Sequence, residues 1–496
     1  MTFSQQARVA SLWHFLLGRP SQKRPFLLQY RSSTVFIVGT ICLAIFTDIF
    51  LYGLIVPVIP FSLTDRVGTS EENVQKWTAI LLACYNGALF VGSPIAGFYA
   101  DRTHSRRMPL LLGLVALAAS TLLLMLGTSI TMLVLGRLLQ GLSAAVVWSV
   151  GLALLADTMG SKIGMAMGYV AIAMSMGLLL SPAIGGAVYE GAGYYPVYYV
   201  AFGIIFLDVM LRLILVEKKV AKQWLDTQDT GHRIENQETA PDLIENPDPE
   251  IQEKQPGENP VDNANQDASA SQPKTPHPYI VFIKSKRALA SLYGISVQAG
   301  IVMSFDTILP LFVQRTFHWN STAAGLIFFC LFMPDIISPV VGWMSDRFGP
   351  KWLSAFGFIA SIPPIVCMRF VTQSSIGHKV LLGALLVFTG VVQSFAYVPL
   401  MAEISYIIAD KEKKTPGVFG KKGMYGVAYG LLNTFYALGG TVGSLMSGYL
   451  VDGKGWPTAL WALGIWCATG ALAVGLWFIP CMMTGWYYYE SVIDND

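Results

Sequence analysis

Gly97-Phe98-Tyr99-Ala100-Asp101-Arg102 returns in the second half of the chain as Gly342-Trp343-Met344-Ser345-Asp346-Arg347, followed by Phe348-Gly349-Pro350-Lys351. Each copy closes a long apolar run and opens a short charged break, Asp101–Arg107 in one case and Asp346–Lys351 in the other. GxxxDR once is a weak pattern. Its recurrence six apolar segments later, on the same side of the membrane, marks an internal repeat of the kind found in two-half secondary transporters. A second pair of signs agrees: Asp48 lies upstream of Pro57 and Pro60 in the first segment, and Asp306 upstream of Pro310 in the seventh.

Composition sets the environment of this repeat. The chain has 496 residues, 53% hydrophobic and only 13% charged, with a mean hydropathy of +0.52. An ordinary soluble chain carries about 25% charge, so too little is present to coat a soluble protein of this length. The reading is an all-α polytopic membrane protein. At about 20 mostly apolar residues per crossing, twelve segments can be traced. They lie near 35–60, 77–100, 108–126, 131–156, 165–188 and 194–216, then near 288–314, 323–345, 352–371, 380–408, 423–451 and 458–481. The six cysteines lie in or beside apolar stretches without CxxC spacing and read as small core residues. No metal-ligand cluster, nucleophile elbow or phosphate-binding glycine loop is present, so an enzyme is not expected.

Charge orients the segments. Residues 1–34 hold five basic residues and no acid, and further bases collect at Arg102, Arg106 and Arg107, at Lys162, at Arg347 and Lys351, and five times between Lys411 and Lys422. By the positive-inside rule both termini are cytoplasmic. Asn320-Ser321-Thr322 then falls in an outer loop as a glycosylation sequon. Residues 217–279 hold 13 acidic and 6 basic residues, and cannot bury a core, so they read as a disordered acidic tether. The net charge of +2 averages this tether with a membrane body whose balance is +9. The expected organisation is a basic cytoplasmic tail (1–34), a six-helix half (35–216), the linker (217–279), a second six-helix half (280–481) and a cytoplasmic tail (482–496).

These features resemble the major facilitator superfamily. More narrowly, the chain resembles the twelve-helix drug:proton antiporter family, in its fungal multidrug and metabolite exporter branch related to the vesicular monoamine transporters. The loop motif GxxxDR(x)G(R/K)(R/K) is matched by Gly342, Asp346, Arg347, Gly349 and Lys351. The first copy, at Gly97, Asp101 and Arg102, departs at His104 and Ser105. Physically, the aspartate can cap the following helix and the arginine can pair across the loop. The resemblance implies a latch that stabilises one gate state. Arg137-Leu-Leu-Gln140-Gly141 resembles the family's RxxQG. Gly177-Leu-Leu-Leu-Ser181-Pro182-Ala-Ile-Gly185-Gly186 resembles the antiporter motif GxxxGPxxGG, with Ser181 in place of a glycine. Asp48 through Pro57 resembles the acid-to-proline motif of the amine transporters. Those transporters carry further acids where this chain has Gln393-Ser394 and Asn433.

The resemblance implies proton coupling through Asp48, Arg137 and Asp306. An arginine inside a spanning segment costs about 2.5–3.5 kcal/mol on insertion scales, so it must face the interior. Analogy pairs Arg137 with Asp48, and counting of helix depth pairs it with Asp306; both stay open. Asp208 and Arg212 should pair locally at i, i+4, whereas Asp335 and Glu403 lack an obvious partner. Tyr52, Tyr85, Asn86, Trp148, Phe305, Tyr397 and Asn433 are candidate cavity residues, suited to hydrophobic, weakly polar ligands. The expectation is a monomeric antiporter of small amphiphilic or cationic molecules. It would be driven by the proton gradient without a cofactor, act on no nucleic acid, and sit in the lipid bilayer of the plasma membrane or, alternatively, of a vacuole or vesicle. A nutrient uniporter and a non-transporting sensor are the competing readings.

Overall fold

The computed structural model describes residues 27–478 except 56–57, 60–62, 64–65, 103–105, 219, 222–223, 225–281, 320, 416–417 and 420–423. The basic tail up to residue 26, most of the linker, the sequon asparagine Asn320, His104, Ser105 and the C-terminal tail lie outside the described residues.

Among the described residues, twelve long helical rods account for the body. The first six are α1 (Thr34–Ile55), α2 (Glu71–Arg102), α3 (Arg107–Leu126), α4 (Ile130–Met159), α5 (Ile163–Ala192) and α6 (Tyr194–Ile214). The second six begin with α7 (Lys286–Phe317) and α8. The latter is broken into Ser321–Phe332, a 3-10 stretch at Met333–Ile337, and Ser338–Phe348. There follow α9 (Pro350–Cys367), α10 (Ile376–Lys414), α11 (Tyr425–Lys454) and α12 (Trp456–Phe478). Among the described residues there is no strand. Among the described residues, ten stretches are long and apolar enough to cross a bilayer, one of them (Ile130–Ala192) holding both α4 and α5. The remaining rod, α11, is diluted by glycines and hydroxyl residues.

Local chemistry sets the ends. Ser129 accepts from the Met132 amide at 3.4 Å at the start of α4, and Ser375 from the His378 amide at 3.3 Å at the start of α10. The repeat reappears in backbone form. A single glycine joins α5 to α6 (Gly193, φ 89°) and α11 to α12 (Gly455, φ 84°), a left-handed conformation that side-chain-bearing residues adopt at a cost.

The interior is the inverse of a soluble core. Arg137, Gln140, Ser143 and Ser149 on α4 are buried, while Val115, Phe206 and Ile465 are exposed, as a lipid-facing surface requires. The Asp208–Arg212 pair is buried and bidentate (2.6 and 2.8 Å), and Arg212 also donates to the Leu110 carbonyl at 2.7 Å. Glu403 has the partner that its neighbours in sequence do not supply: Arg287 at the start of α7 grips both of its oxygens, one at 3.0 Å. The stretch read as tether begins inside the body. Glu217 accepts the Arg107 amide at 3.0 Å, and Ala221 packs with Val216 and Leu28.

Candidate functional site

Two cavities lie between the halves. The larger has about 570 Å³ of empty space, lined by Tyr52 of α1, Tyr85 and Asn86 of α2, Trp148 of α4, Met174 of α5, Tyr397 of α10, and Asn433 and Tyr436 of α11. Six of the seven cavity residues read from the sequence therefore share one wall. Phe305 is the exception. It is fully buried in the apolar core; Met303, two positions earlier, lines the cavity, and the neighbouring Asp306 is half-buried. Tyr436 was not foreseen, although it stands one turn from Asn433, as i+3 spacing requires.

Asp48 is fully buried behind this wall. Its Oδ2 accepts from Trp148 Nε1 at 3.1 Å and from the Tyr85 hydroxyl at 3.4 Å, and Oδ1 has no partner. Arg137 is also fully buried. Its guanidinium donates to Gln140 Oε1 at 2.8 Å and stands 5.6 Å from the centroid of the Tyr52 ring, which stacks obliquely on Tyr85 at 4.6 Å. Among the described residues it forms no ion pair with Asp48 or Asp306, and two of its nitrogens are unpartnered. An unsatisfied buried cation is costly. This state holds Arg137 by a side-chain oxygen and a ring, ready for a better acceptor.

The loop motifs act across the halves. Asp101, at the end of α2, caps the first turn of α11, accepting from the Gly426 and Val427 amides at 2.8 Å each. Asp346, at the end of α8, does the same for α5, with Gly164 at 2.7 Å and Met165 at 3.0 Å. The sequence suggested capping of the following helix; each carboxylate instead caps a helix of the opposite half. The helix macrodipole favours an anion there. Gly97 and Gly342 make the approach possible: a Cβ at Gly97 would meet the Gly426 carbonyl carbon at 2.7 Å, and one at Gly342 would meet the Gly164 carbonyl carbon at 2.5 Å. The basic partner in the first copy is Arg106, bound to Asp157 at 2.8 Å and Asp101 at 3.5 Å. Arg102 stacks on Phe98, Arg347 on Trp343 and Lys351 near Trp352. Gly349 (φ 83°) ends α8 in the left-handed region.

The small-residue face of α5 packs on α1. A Cβ on Gly177 would lie 2.8 Å from Ile49, Ser181 sits against Gly53, and a Cβ on Gly185 would meet the Leu54 carbonyl oxygen at 2.5 Å. Pro182 lies inside the helix, and Gly186 faces open space. This close crossing braces the helix that carries Asp48.

The second cavity, with about 450 Å³ of empty space, was not foreseen as a site. Asp335 lies on it, within the 3-10 break of α8, and accepts hydroxyls from Ser175 of α5 and Ser394 of α10. The available signal was Pro334-Asp335 followed by Pro339 inside an apolar run, where helical hydrogen bonding must fail.

A family model described as Major Facilitator Superfamily matches residues 41–415 and 298–483. An uncharacterised MFS-type transporter of Schizosaccharomyces pombe is 34% identical over 90% of this chain and 96% of its own. The class B tetracycline resistance protein of Escherichia coli is 25% identical over 66% of this chain and 72% of its own. Among solved structures, the human organic anion transporter MFSD10 superposes with a TM-score of 0.60, covering 89% of this chain and 99% of that one at 15% identity, a likeness of fold alone.

Proposed function

The chain belongs to the major facilitator superfamily, as a multi-pass integral membrane transporter rather than an enzyme, and from that premise we propose that it is a proton-coupled antiporter exporting small amphiphilic or cationic molecules by alternating access. The observation that carries this reading is Asp48. It is a fully buried carboxylate behind the wall of a cavity between the halves, held by Trp148 and Tyr85, with the unsaturated guanidinium of Arg137 beside Tyr52 in the same aromatic cluster.

In this state the Asp101 and Asp346 caps close the loop end of the bundle, so the cavity serves the outer side. A proton arriving at Asp48 removes the charge that retains cationic cargo, and the cargo leaves. Rocking of the halves breaks both caps. Arg137, with nitrogens to spare, then supplies a positive neighbour that expels the proton to the cytoplasm. Asp306, half-buried on α7, is the second carboxylate of the coupling path. The proton gradient is the energy source and no cofactor takes part. A monomer in the plasma membrane suffices, and a fluorescent tag in the native host distinguishes it from a vacuolar or vesicular location.

The test is uptake of a lipophilic cation into proteoliposomes under an imposed pH gradient. Asp48→Asn should abolish pH-driven uptake while gradient-free exchange persists. A variant that retains pH-dependent uptake would falsify the coupling role.

A further inference from the structure

The cavity around Asp335 is built differently from the one in front of Asp48. Asp335 is presented by a stretch of α8 that leaves the α-helix for five residues, Met333–Ile337, a break of the sort that brings backbone and side chain to a binding site at mid-membrane. Ser175 donates to one of its oxygens and Ser394 to the other. A carboxylate has about four acceptor positions, so each oxygen keeps one. Beside it on the same wall stands Gln393, only 5% exposed, with neither Oε1 nor Nε2 hydrogen-bonded. Gln298 of α7, also 5% exposed, lines the space with an unpartnered Oε1. Buried amides without partners are expensive, and three sets of acceptors converging on one empty space call for a ligand with several N–H donors.

We propose that this cavity is the recognition subsite for the N–H-bearing ammonium group of the cargo, a primary or secondary alkyl- or arylalkylammonium whose apolar body extends into the neighbouring aromatic cavity. The geometry connects the two: Met174, Leu178 and Tyr397 line both spaces. The ammonium neutralises Asp335, gives its remaining hydrogens to Gln393 and Gln298, and leaves the rings of Tyr52, Tyr85 and Trp148 to cover the hydrocarbon. The inference deepens the export reading and rests on it for the cationic nature of the cargo. It divides the work between carboxylates: Asp335 takes the hydrogens of the ammonium, and Asp48 carries the proton whose arrival removes the second negative charge that retains the cation. Because Ser175 belongs to the first half and Ser394 to the second, an occupant of this subsite sits on a contact that rocking must break.

The test is equilibrium binding to the full chain in lipid nanodiscs, without any proton gradient. Three probes are compared: phenethylamine, its N,N,N-trimethyl analogue, which has the same body and no N–H, and tetraphenylphosphonium. The unaltered protein should prefer the primary amine over the trimethyl analogue by about ten-fold or more, the scale of charge-assisted hydrogen bonds. Asp335→Asn should weaken the amine by about ten-fold and erase the preference, with tetraphenylphosphonium held within about two-fold. Gln393→Leu should reduce the preference by about three- to five-fold with Asp335 in place. The proposal is overturned if the unaltered protein does not discriminate the amines, or if Asp335→Asn binds phenethylamine as the unaltered protein does. Should Asp335→Asn fail to fold, a full preference in Gln393→Leu overturns it equally. Failure of the antiport reading looks different: Asp335-dependent amine binding would persist while a pH gradient drove no flux.

Discussion

The two cross-half locks use the same carboxylate in different company. Asp101 caps α11 and shares Arg106 with Asp157, a largely buried cluster of two carboxylates around one guanidinium. Asp346 caps α5 and receives a neutral donor, the Tyr406 hydroxyl, while Arg347 and Lys351 of its own motif lie against aromatic rings. Both halves keep the capping aspartate and the glycine one turn before it. They differ in how the counter-charge is placed: Arg106 is paired directly with Asp101, whereas Lys162 acts on Asp346 through space. The essential part of the lock is therefore an anion at a helix N-terminus beneath a backbone crossing, and the cation is one of several ways to hold that anion in place.

The strongest way to break the comparison is to attack what the locks share. Gly97→Leu and Gly342→Leu each drive a side chain into the backbone of the opposite half. Overpacking of a close crossing costs about 1–3 kcal/mol or more, so the closed loop end should become inaccessible and uptake into proteoliposomes should fall by about a hundred-fold in both variants. Circular dichroism should show unchanged helix content. Undiminished uptake by either variant would mean that its crossing is not part of the cycle.

Next come the caps themselves. Asp101→Ala removes two N–H acceptors and leaves Arg106, 6% exposed, with Asp157 as its remaining acid partner in this cluster. Asp346→Ala removes two N–H acceptors and the acceptor of the Tyr406 hydroxyl. A charged hydrogen bond contributes about 1.5–3 kcal/mol and a neutral one about 1 kcal/mol. Distances between spin labels at the loop ends of α2 and α11, and of α5 and α8, should report loss of the closed state in both. The shift should be larger for Asp101→Ala by what Arg106 loses with its second acid, about two- to five-fold. Equal shifts would show that Arg106 contributes nothing to the closed state.

Hydropathy and the repeated GxxxDR made the architecture legible, because spanning segments must be apolar over their whole length and the breaks between them short. The cavity wall was legible where aromatic or amide groups stood in otherwise aliphatic runs, as at Tyr52, Asn86 and Asn433. What escaped depended on partners distant in sequence. Glu403 finds Arg287, a residue just outside the expected edge of its segment, and Asp335 finds Ser175 in the other half. Phe305 was misplaced on its helix: adjacent residues point about 100° apart, Phe305 turns into the apolar core, and Met303, two positions earlier, is the α7 residue on the cavity. The partner of Arg137 was posed as a choice between two aspartates. A rotamer decided otherwise, turning the guanidinium onto Gln140 one turn away.

A smaller effect separates the two arginines of the first copy. Arg106→Gln breaks a buried pair with Asp157 and should open the α2–α11 lock by about ten-fold. Arg102→Gln removes a guanidinium from over the Phe98 ring, and the cation–π share of its shift should be about two- to five-fold. The same spin-label distances read both. The reverse ranking would restore the motif arginine as the cation of the lock.

The finest distinction concerns Tyr406. Tyr406→Phe keeps the ring and deletes one hydroxyl, leaving Asp346 with both backbone donors of α5. A hydroxyl donating to a carboxylate is a charge-assisted hydrogen bond and contributes about 1.5–3 kcal/mol, so the α5–α8 lock should loosen by about ten-fold or more. The informative quantity is the coupling in a double-mutant cycle. Tyr406→Phe combined with Asp346→Ala should yield about 1.5–3 kcal/mol, and Arg106→Gln combined with Asp101→Ala, whose groups stand 3.5 Å apart, about 1 kcal/mol. Salt tests the burial of both contacts. Bulk ions screen a pair that is about one-tenth exposed only weakly, and leave a hydroxyl–carboxylate bond nearly untouched. Raising the ionic strength should therefore leave both couplings nearly unchanged. A first-half coupling that collapsed in salt would mean that the Arg106 cluster opens to solvent in the working protein and differs from the Tyr406 contact in exposure as well as in charge.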